Sequence, residues 1–344
     1  MESIKLRLKP RSLLVLLILS LLLWSCQKEA LPPQTQLHLG TVCTINLFDD
    51  GTIDLYTALF QRLKEIEQVF SVRLAASTIS QVNQAAGIAA VAVPEEVLLV
   101  LQQALDIAKK TGGAFDPTIG PLVDLWDIGG DNSQVPSQEA IDHARSLVDY
   151  RLVELNLEQG TVYLPKQGMA LDLGGIAKGY AADELVAMVQ EAGLKRGLFD
   201  LGGNIYAFGT KADGSTWRVG VKDPAQPGGS PALALAVQDR SVVTSGMYER
   251  FFEQDGIRYH HILNPATGYP VWNDIQSVTI VSKSSLLADA LSTSVFLLGR
   301  EKGLALLESE DAEGVIIGED NLVYPTSGIA DQLSVVTSSY QLAD

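Results

Sequence analysis

The sequence predicts an α+β fold, with mostly antiparallel sheets and packed helices forming two intimately associated α/β lobes. Three observations predict it. Strand-like runs crowd the second half of the chain, helical periodicities are few and well separated, and the regular strand–helix–strand alternation of a parallel sheet is missing. At 344 residues, with 47% hydrophobic and 19% charged side chains, the chain has material for one large core or two closely joined ones.

Taken in order, residues 1–25 read as a processing signal, with Lys5, Arg7, Lys9 and Arg11 ahead of the apolar run Leu13–Trp24. That run falls short of the ~20 residues of a spanning helix. Leu23-Trp24-Ser25-Cys26 resembles the lipobox of bacterial lipoproteins, which implies cleavage before Cys26 and a lipid on its sulfur. An uncleaved signal anchor is the alternative. Residues 26–38, with Pro32-Pro33, read as a tether, and residues 39–344 as the folded domain. Gly40–Phe48 predicts a strand with Cys43, Ile45 and Leu47 on one face. Asp54 is placed to cap a helix in which Leu55, Leu59, Leu63, Ile66 and Phe70 recur at helical spacing. A helix over 94–110 opens on Pro94-Glu95-Glu96, closes on Lys109-Lys110 and stops at Gly112. Further helices are expected at 137–149, 177–192 and 285–297. Strands are expected near 161–173 and at 197–208, 216–222, 232–237, 257–263, 275–281, 314–318 and 333–338. Asp223–Pro231 reads as a surface loop, and Asp-Leu-Gly-Gly occurs twice, at 172–175 and 200–203.

The formal net charge is −16, and residues 1–25 hold four basic residues against one acidic, so their removal deepens the imbalance. Such a field argues against nucleic acid and against adhesion to anionic headgroups. An anionic ligand must therefore meet local donors or a metal. The only cysteines are Cys26 and Cys43. With lipid on Cys26 no intrachain disulfide is available, and Cys43 reads as a small core residue.

Four constellations carry chemistry. In Gly112–Leu122, Pro117 forces Asp116 into an extended conformation. With Phe115 this loop suits an aromatic heterocycle or its ribose, or else it is a rigid turn around a buried Phe. Asp172–Tyr180 ends a β-like run on Gly174-Gly175 and starts a helix. Paired glycines admit close approach of a ligand, and a helix start offers unpaired N–H groups to an anion. The spacing matches neither a P-loop nor a dinucleotide fingerprint. Lys178 opposes the helix dipole there, which favours an anionic partner over a solvated charge. Thr244-Ser245-Gly246 can offer hydroxyl and backbone donors to a phosphate, and Asn264–Gly268 carries a turn signature. Adjacent His260 and His261 point to opposite faces of a strand, so one can serve a site. The alternative is one core-facing and one solvent-facing imidazole. Asp289 and Thr293, four apart, share a helix face and make two hard oxygen ligands for Mg²⁺, or else a buried Asp–Thr hydrogen bond.

These blocks, in this order, resemble the ApbE-type FAD:protein FMN transferase family. The resemblance runs from about Leu39 to the C-terminus and is most specific at Gly113–Leu122, Leu171–Asp183, Leu201–Gly203, Thr244–Gly246, His261–Pro270 and Ala288–Thr293, with Ser80 and Asn83 adding a looser match. It implies Mg²⁺-dependent transfer of FMN from FAD to a threonine hydroxyl of a partner flavoprotein subunit in a membrane redox complex, with release of AMP. It further implies an exported lipoprotein, lipid-anchored to a bacterial membrane in the cell envelope and facing the periplasm. On this chain, Leu39, Ala114, Phe115, Asp116, Asp172, Lys178 and Ile262 would contact FAD, with Thr244 offering phosphate donors. Asp289, Thr293 and the Gly175 carbonyl would bind Mg²⁺. Asn264 and Ala266 depart from the acidic and basic residues common at those positions. His261 is the expected proton acceptor, Asp289 its competitor, and Lys178 the source of positive charge at the phosphate. An FAD pyrophosphatase giving FMN and AMP, and a non-catalytic FAD-binding lipoprotein, are the alternatives.

Overall fold

The computed structural model describes residues 30–48, 51–226 and 228–343, so the expected processing signal and Cys26 lie outside the described residues. Nine strands form the central sheet and cross it in chain order: Gln34–His38, Thr41–Asn46, Arg196–Leu201, Asn204–Gly209, Arg240–Gly246, Ile275–Ser282, Ala312–Gly318, Leu322–Pro325 and Gln341–Leu342. Every neighbouring pair is antiparallel except the last. The two expected lobes thus share one sheet, with long excursions between its strands. Side chains alternate across a strand. One face carries Cys43, Ile45, Phe199, Leu201, Val243, Val278, Ile280 and Ile316 into a core shared with the helices. The other carries Val242, Val281, Val315 and Ile317 against a three-stranded sheet of Trp217–Val221, Leu233–Val237 and Leu333–Val335.

The helical layer comes mainly from the excursion between Asn46 and Arg196. Helices Ile53–Phe70, Glu95–Lys110 and Ala177–Glu191 meet at Arg62, whose guanidinium donates to Glu96 at 2.6 Å, Glu184 at 2.8 Å and the Tyr180 hydroxyl at 3.0 Å. Helix Ser285–Leu298 packs on Ala177–Glu191 and on strands Arg240–Gly246 and Ile275–Ser282. It is this packing that brings distant parts of the chain together. No helix among the described residues is long and apolar enough to cross a membrane.

Several expected boundaries shift. Gln34–His38, expected within the tether, pairs with Thr41–Asn46 through the two-residue turn Leu39–Gly40, whose φ angles are both positive at 54° and 67°. Its polar side chains hide the strand from a hydrophobic pattern. The first helix is capped by Thr52, whose hydroxyl accepts from the Leu55 N–H at 3.2 Å, while Asp54 stands in the first turn. The run 197–208 is two strands, parted by Gly202 and Gly203 at positive φ. Only Thr161–Tyr163 of the expected 161–173 strand is paired as one, and the 137–149 helix closes at Arg145. Arg240–Gly246, Phe251–Gln254 and the helix Arg300–Glu308 lie where the sequence predicts no element. Arg240–Gly246 escapes a hydrophobic pattern because its hydroxyls are paired across the interior, Ser241 with Ser285 and Thr244 with Thr279.

Candidate functional site

Residues 171–179 build the floor of the site. Asn83 holds Leu171 as a neighbouring strand would, accepting its N–H at 2.7 Å and donating to its carbonyl at 2.9 Å. Asp172 donates its own N–H to the Pro117 carbonyl at 2.9 Å and accepts from the Gly174 N–H at 2.7 Å, which closes the glycine turn. Burial raises the Asp172 carboxyl above the usual carboxylate range, against the lowering pull of that bond and of Arg73, Arg250 and Lys178. Asp172 also borders a cleft of about 280 Å³ lined by Arg73, Ser80, Asn83 and Asp124.

The helix that follows begins without a side-chain cap at Ile176. Its Gly179 N–H, in the first turn, donates instead to Asp289 Oδ2 at 2.9 Å. A side chain at Gly179 would start 2.8 Å from Asp289 Cβ and press on the Ser285 carbonyl, so only glycine admits this approach. Asp289 Oδ1 faces Lys178 Nζ at 3.4 Å, and Lys178 also donates to the Gly174 carbonyl at 3.2 Å. Asp289 is 3% exposed, and a carboxylate so deeply placed requires hydrogen-bond donors of this kind to offset its burial. The dipole conflict at Lys178 is thus resolved by a carboxylate from another helix.

One turn beyond Asp289, Thr293 faces the glycine turn. A Cβ on Gly175 would lie 3.4 Å from Thr293 Oγ1 and 3.3 Å from Phe115 Cε2, so glycine keeps a cradle open between them. A carboxylate, a hydroxyl and a bare backbone around that cradle are hard oxygen donors, the set that suits Mg²⁺. Among the described residues no group of three or more His, Cys, Asp or Glu could hold a metal ion, so the donor set here is a mixed one.

The 112–122 loop supplies a wall. Phe115 is 6% exposed and packs against Gly175. Asp116 turns inward: its carboxylate accepts from the Thr118 N–H at 2.8 Å, the Thr118 hydroxyl at 2.6 Å and the Tyr150 N–H at 3.0 Å. Its Oδ1 is therefore occupied by the loop and its Oδ2 by the Tyr150 segment, leaving Phe115 as the loop side chain against the cradle. Burial raises the Asp116 carboxyl despite the bonds from Thr118 and Tyr150.

The two histidines separate cleanly. His260 is fully buried, its Nε2 donating to the Val271 carbonyl at 2.8 Å and its Nδ1 accepting from the Ile262 N–H at 3.3 Å. Both nitrogens serve the fold, and Ile262 is buried with them. His261 Nδ1 lies 3.3 Å from the Arg250 carbonyl, which can only accept, so Nδ1 carries the proton and Nε2 keeps its lone pair. Burial, with Arg250 and His260 adding to it, pulls His261 down to about 3, so the ring is neutral at physiological pH. Lys178 adds a smaller lowering of its own.

Thr244 and Ser245 part in the same way. Thr244 pairs with Thr279 at 2.8 Å, whereas Ser245 bonds Ser292 at 2.8 Å on the helix side. The Thr244 hydroxyl thus points to the sheet face away from Asp289, and Ser245 is the hydroxyl nearer to it. Asn264 accepts from the Ala266 N–H at 2.8 Å and keeps the turn, which Trp126 anchors by donating to the Gly268 carbonyl at 2.8 Å.

Two residues join the site that motif reading does not single out. Arg250 donates to the Gly40 carbonyl at 3.2 Å while its own carbonyl holds His261, which links the Leu39–Gly40 turn to the imidazole. Glu249 stands beside Gly203, 3.5 Å from the point where a side chain there would begin, and burial raises its carboxyl against Lys178, Lys222 and Arg250. Both lie within four residues of Thr244-Ser245-Gly246, past Met247 and Tyr248, so their closeness to that block was the available signal.

Residues 39–316 match the model of the ApbE family. The FAD:protein FMN transferase of Treponema pallidum is 40% identical over 327 residues, covering 90% of each chain. That of Klebsiella pneumoniae is 38% identical over 293 residues, covering 84% of this chain and 90% of its own. Among solved structures, the ApbE protein of Thermotoga maritima superposes with a TM-score of 0.80 at 32% identity, over 88% of this chain and 98% of its own. The flavin transferase ApbE of Vibrio cholerae superposes with a TM-score of 0.78 at 27% identity and the same coverage. With the glycine turn, the 285–298 helix and the histidine strand assembled as described, the chain belongs to the ApbE family.

Proposed function

We propose that this protein transfers FMN from FAD to a threonine hydroxyl of a partner flavoprotein subunit, with Mg²⁺ and with release of AMP. The observation that carries it is the meeting of Gly175, Lys178, Asp289 and Thr293 around one open cradle. The relatives' names support the flavin and the transfer. The hard-oxygen donor set supports the metal.

The acceptor oxygen forms a bond to the FMN-side phosphorus of FAD, the bond to the AMP oxygen breaks, and the hydroxyl proton must leave. His261 Nε2 takes that proton, its ring oriented by the Arg250 carbonyl. Lys178 contributes positive charge at the phosphate. Asp289 and Thr293, with the Gly175 backbone, would hold the Mg²⁺, which when bound supplies Lewis-acid neutralisation of phosphate charge. Phe115 walls the cradle and excludes water from one side. Such transfers ask the protein for position and charge more than for covalent steps.

Purified protein mixed with FAD, Mg²⁺ and a candidate acceptor subunit should yield a fluorescent acceptor band that survives SDS. Free FMN alone would instead mark a pyrophosphatase, and intact FAD a carrier. His261→Asn should lower turnover by about 10²–10⁴ while FAD binding persists; unaltered turnover removes His261 from this role. The lipobox-like Leu23–Cys26 supports a lipid anchor on Cys26 at a bacterial membrane, with the domain facing the periplasm. Cys26→Ser should then release the protein from the membrane fraction.

A further inference from the structure

Two carboxylates cross between the same pair of helices. Asp289 reaches from Ser285–Leu298 to the Gly179 N–H in the first turn of Ala177–Glu191. Asp183 reaches back from Ala177–Glu191 to the N–H groups of Ser285 at 2.8 Å and Leu286 at 3.0 Å, in the first turn of Ser285–Leu298. The Ser284 hydroxyl adds a third bond to Asp183 at 3.1 Å. On each helix the two contacts are four residues apart, about one turn, so the helices run antiparallel. Each thereby receives from the other the acceptor that its N-terminal N–H groups need.

The sheet holds Ser285–Leu298 independently. Ser285 Oγ bonds Asn204 at 2.8 Å and Ser241 at 2.7 Å, and Ser292 bonds Ser245 at 2.8 Å. None of these contacts touches Ala177–Glu191. At Gly179 the helices approach with no intervening side chain, so their register there is marked by the two crossing carboxylate contacts.

We infer that Asp183 is a positioning residue for the reacting centre. It fixes the register of the two helices, so that Asp289 Oδ2 stays on Gly179 while Oδ1 is presented towards Lys178 and the cradle. The inference rests on the reading of Asp289 and Thr293 as metal-holding residues, and its test separates the two.

Mn²⁺ is titrated into the folded protein without flavin and followed by the EPR signal of the free ion, with the thermal midpoint measured alongside. Asp183→Asn keeps the shape but turns one acceptor into a donor facing N–H groups; Asp183→Ser is the smaller second variant. Thr52→Ala, which removes the cap of Ile53–Phe70, controls for lost stability alone. The Asp183 variants should bind Mn²⁺ at least tenfold more weakly, and Thr52→Ala within twofold of the parent protein. Asp183 variants with a lowered midpoint and unchanged Mn²⁺ affinity would overturn the positioning role. A parent protein whose Mn²⁺ binding is untouched by Asp289→Ala would overturn the metal reading itself.

Discussion

A methyl group on Gly179 would meet Asp289 Cβ at 2.8 Å and the Ser285 carbonyl, both parts of a helix pinned to the sheet. Gly179→Ala should therefore cost about 1–3 kcal/mol, the range for overpacking a close interface, read as a lower urea midpoint. An unchanged midpoint would mean that the helices part freely. His261 behaves differently, because its surroundings act on charge rather than volume. With the folded ring held down to about 3 against an ordinary histidine value of 6.5, the unfolded chain takes up a proton first as pH falls. The stabilisation is complete above about pH 6.5 and is lost as pH descends towards 3. His260 is lowered too, by burial, and adds in the same direction. In urea unfolding at pH 7 and pH 5, His261→Asn should shift the pH 5-minus-pH 7 difference in midpoint towards greater stability at pH 5, since it removes a contribution lost on acidification. The raised carboxylates Asp116, Asp172 and Asp183 act the other way in both proteins. An NMR titration of His261 with a midpoint near 6.5 would contradict this.

At the scale of elements, the three helices joined at Arg62 offer a test free of the chemistry. Arg62→Leu leaves Glu96 and Glu184 without their shared cation. The side chains are partly exposed, at 21%, 17% and 34%, so screening reduces the loss to about 1–2 kcal/mol. The thermal midpoint should drop by a few degrees, with FAD affinity unchanged. The same elements show what a sequence can reveal. Helix 95–110 declares itself through Pro94, its acidic start, its basic end and Gly112, all of which act locally. Asp289 and Thr293 are legible as one face of a helix, and Gly174-Gly175 as a turn, for the same reason. Gln34–His38 is not, because its polar side chains mask a hairpin with the neighbouring Thr41–Asn46, nor is Arg240–Gly246, whose partner strands lie far along the chain. Nor can a pattern of residues reveal that Asp116 turns inward to Thr118 and Tyr150, or that Ser245 rather than Thr244 faces the helix. Those follow from tertiary register.

The whole molecule carries a formal charge of −16. Buried carboxylates at Asp116, Asp172 and Asp183 have raised pKa values through desolvation, so holding them ionised at neutral pH works against folding. A cation seated beside Asp289 would stabilise the fold by mass action, about 2.7 kcal/mol at one hundred times its Kd. Millimolar Mg²⁺ should raise the thermal midpoint, chelation should reverse it, and Asp289→Ala should abolish most of the rise. A shift that survives Asp289→Ala would report diffuse screening of the net charge instead. The hairpin at the sheet's first edge has a consequence for reach. Because Gln34 is already paired, a lipid on Cys26 would stand only seven residues, 27–33, from the sheet along the chain. Seven residues span at most about 25 Å when fully stretched. On so short a leash the domain would hover close to the bilayer, sampling only acceptors whose threonine lies near the membrane plane.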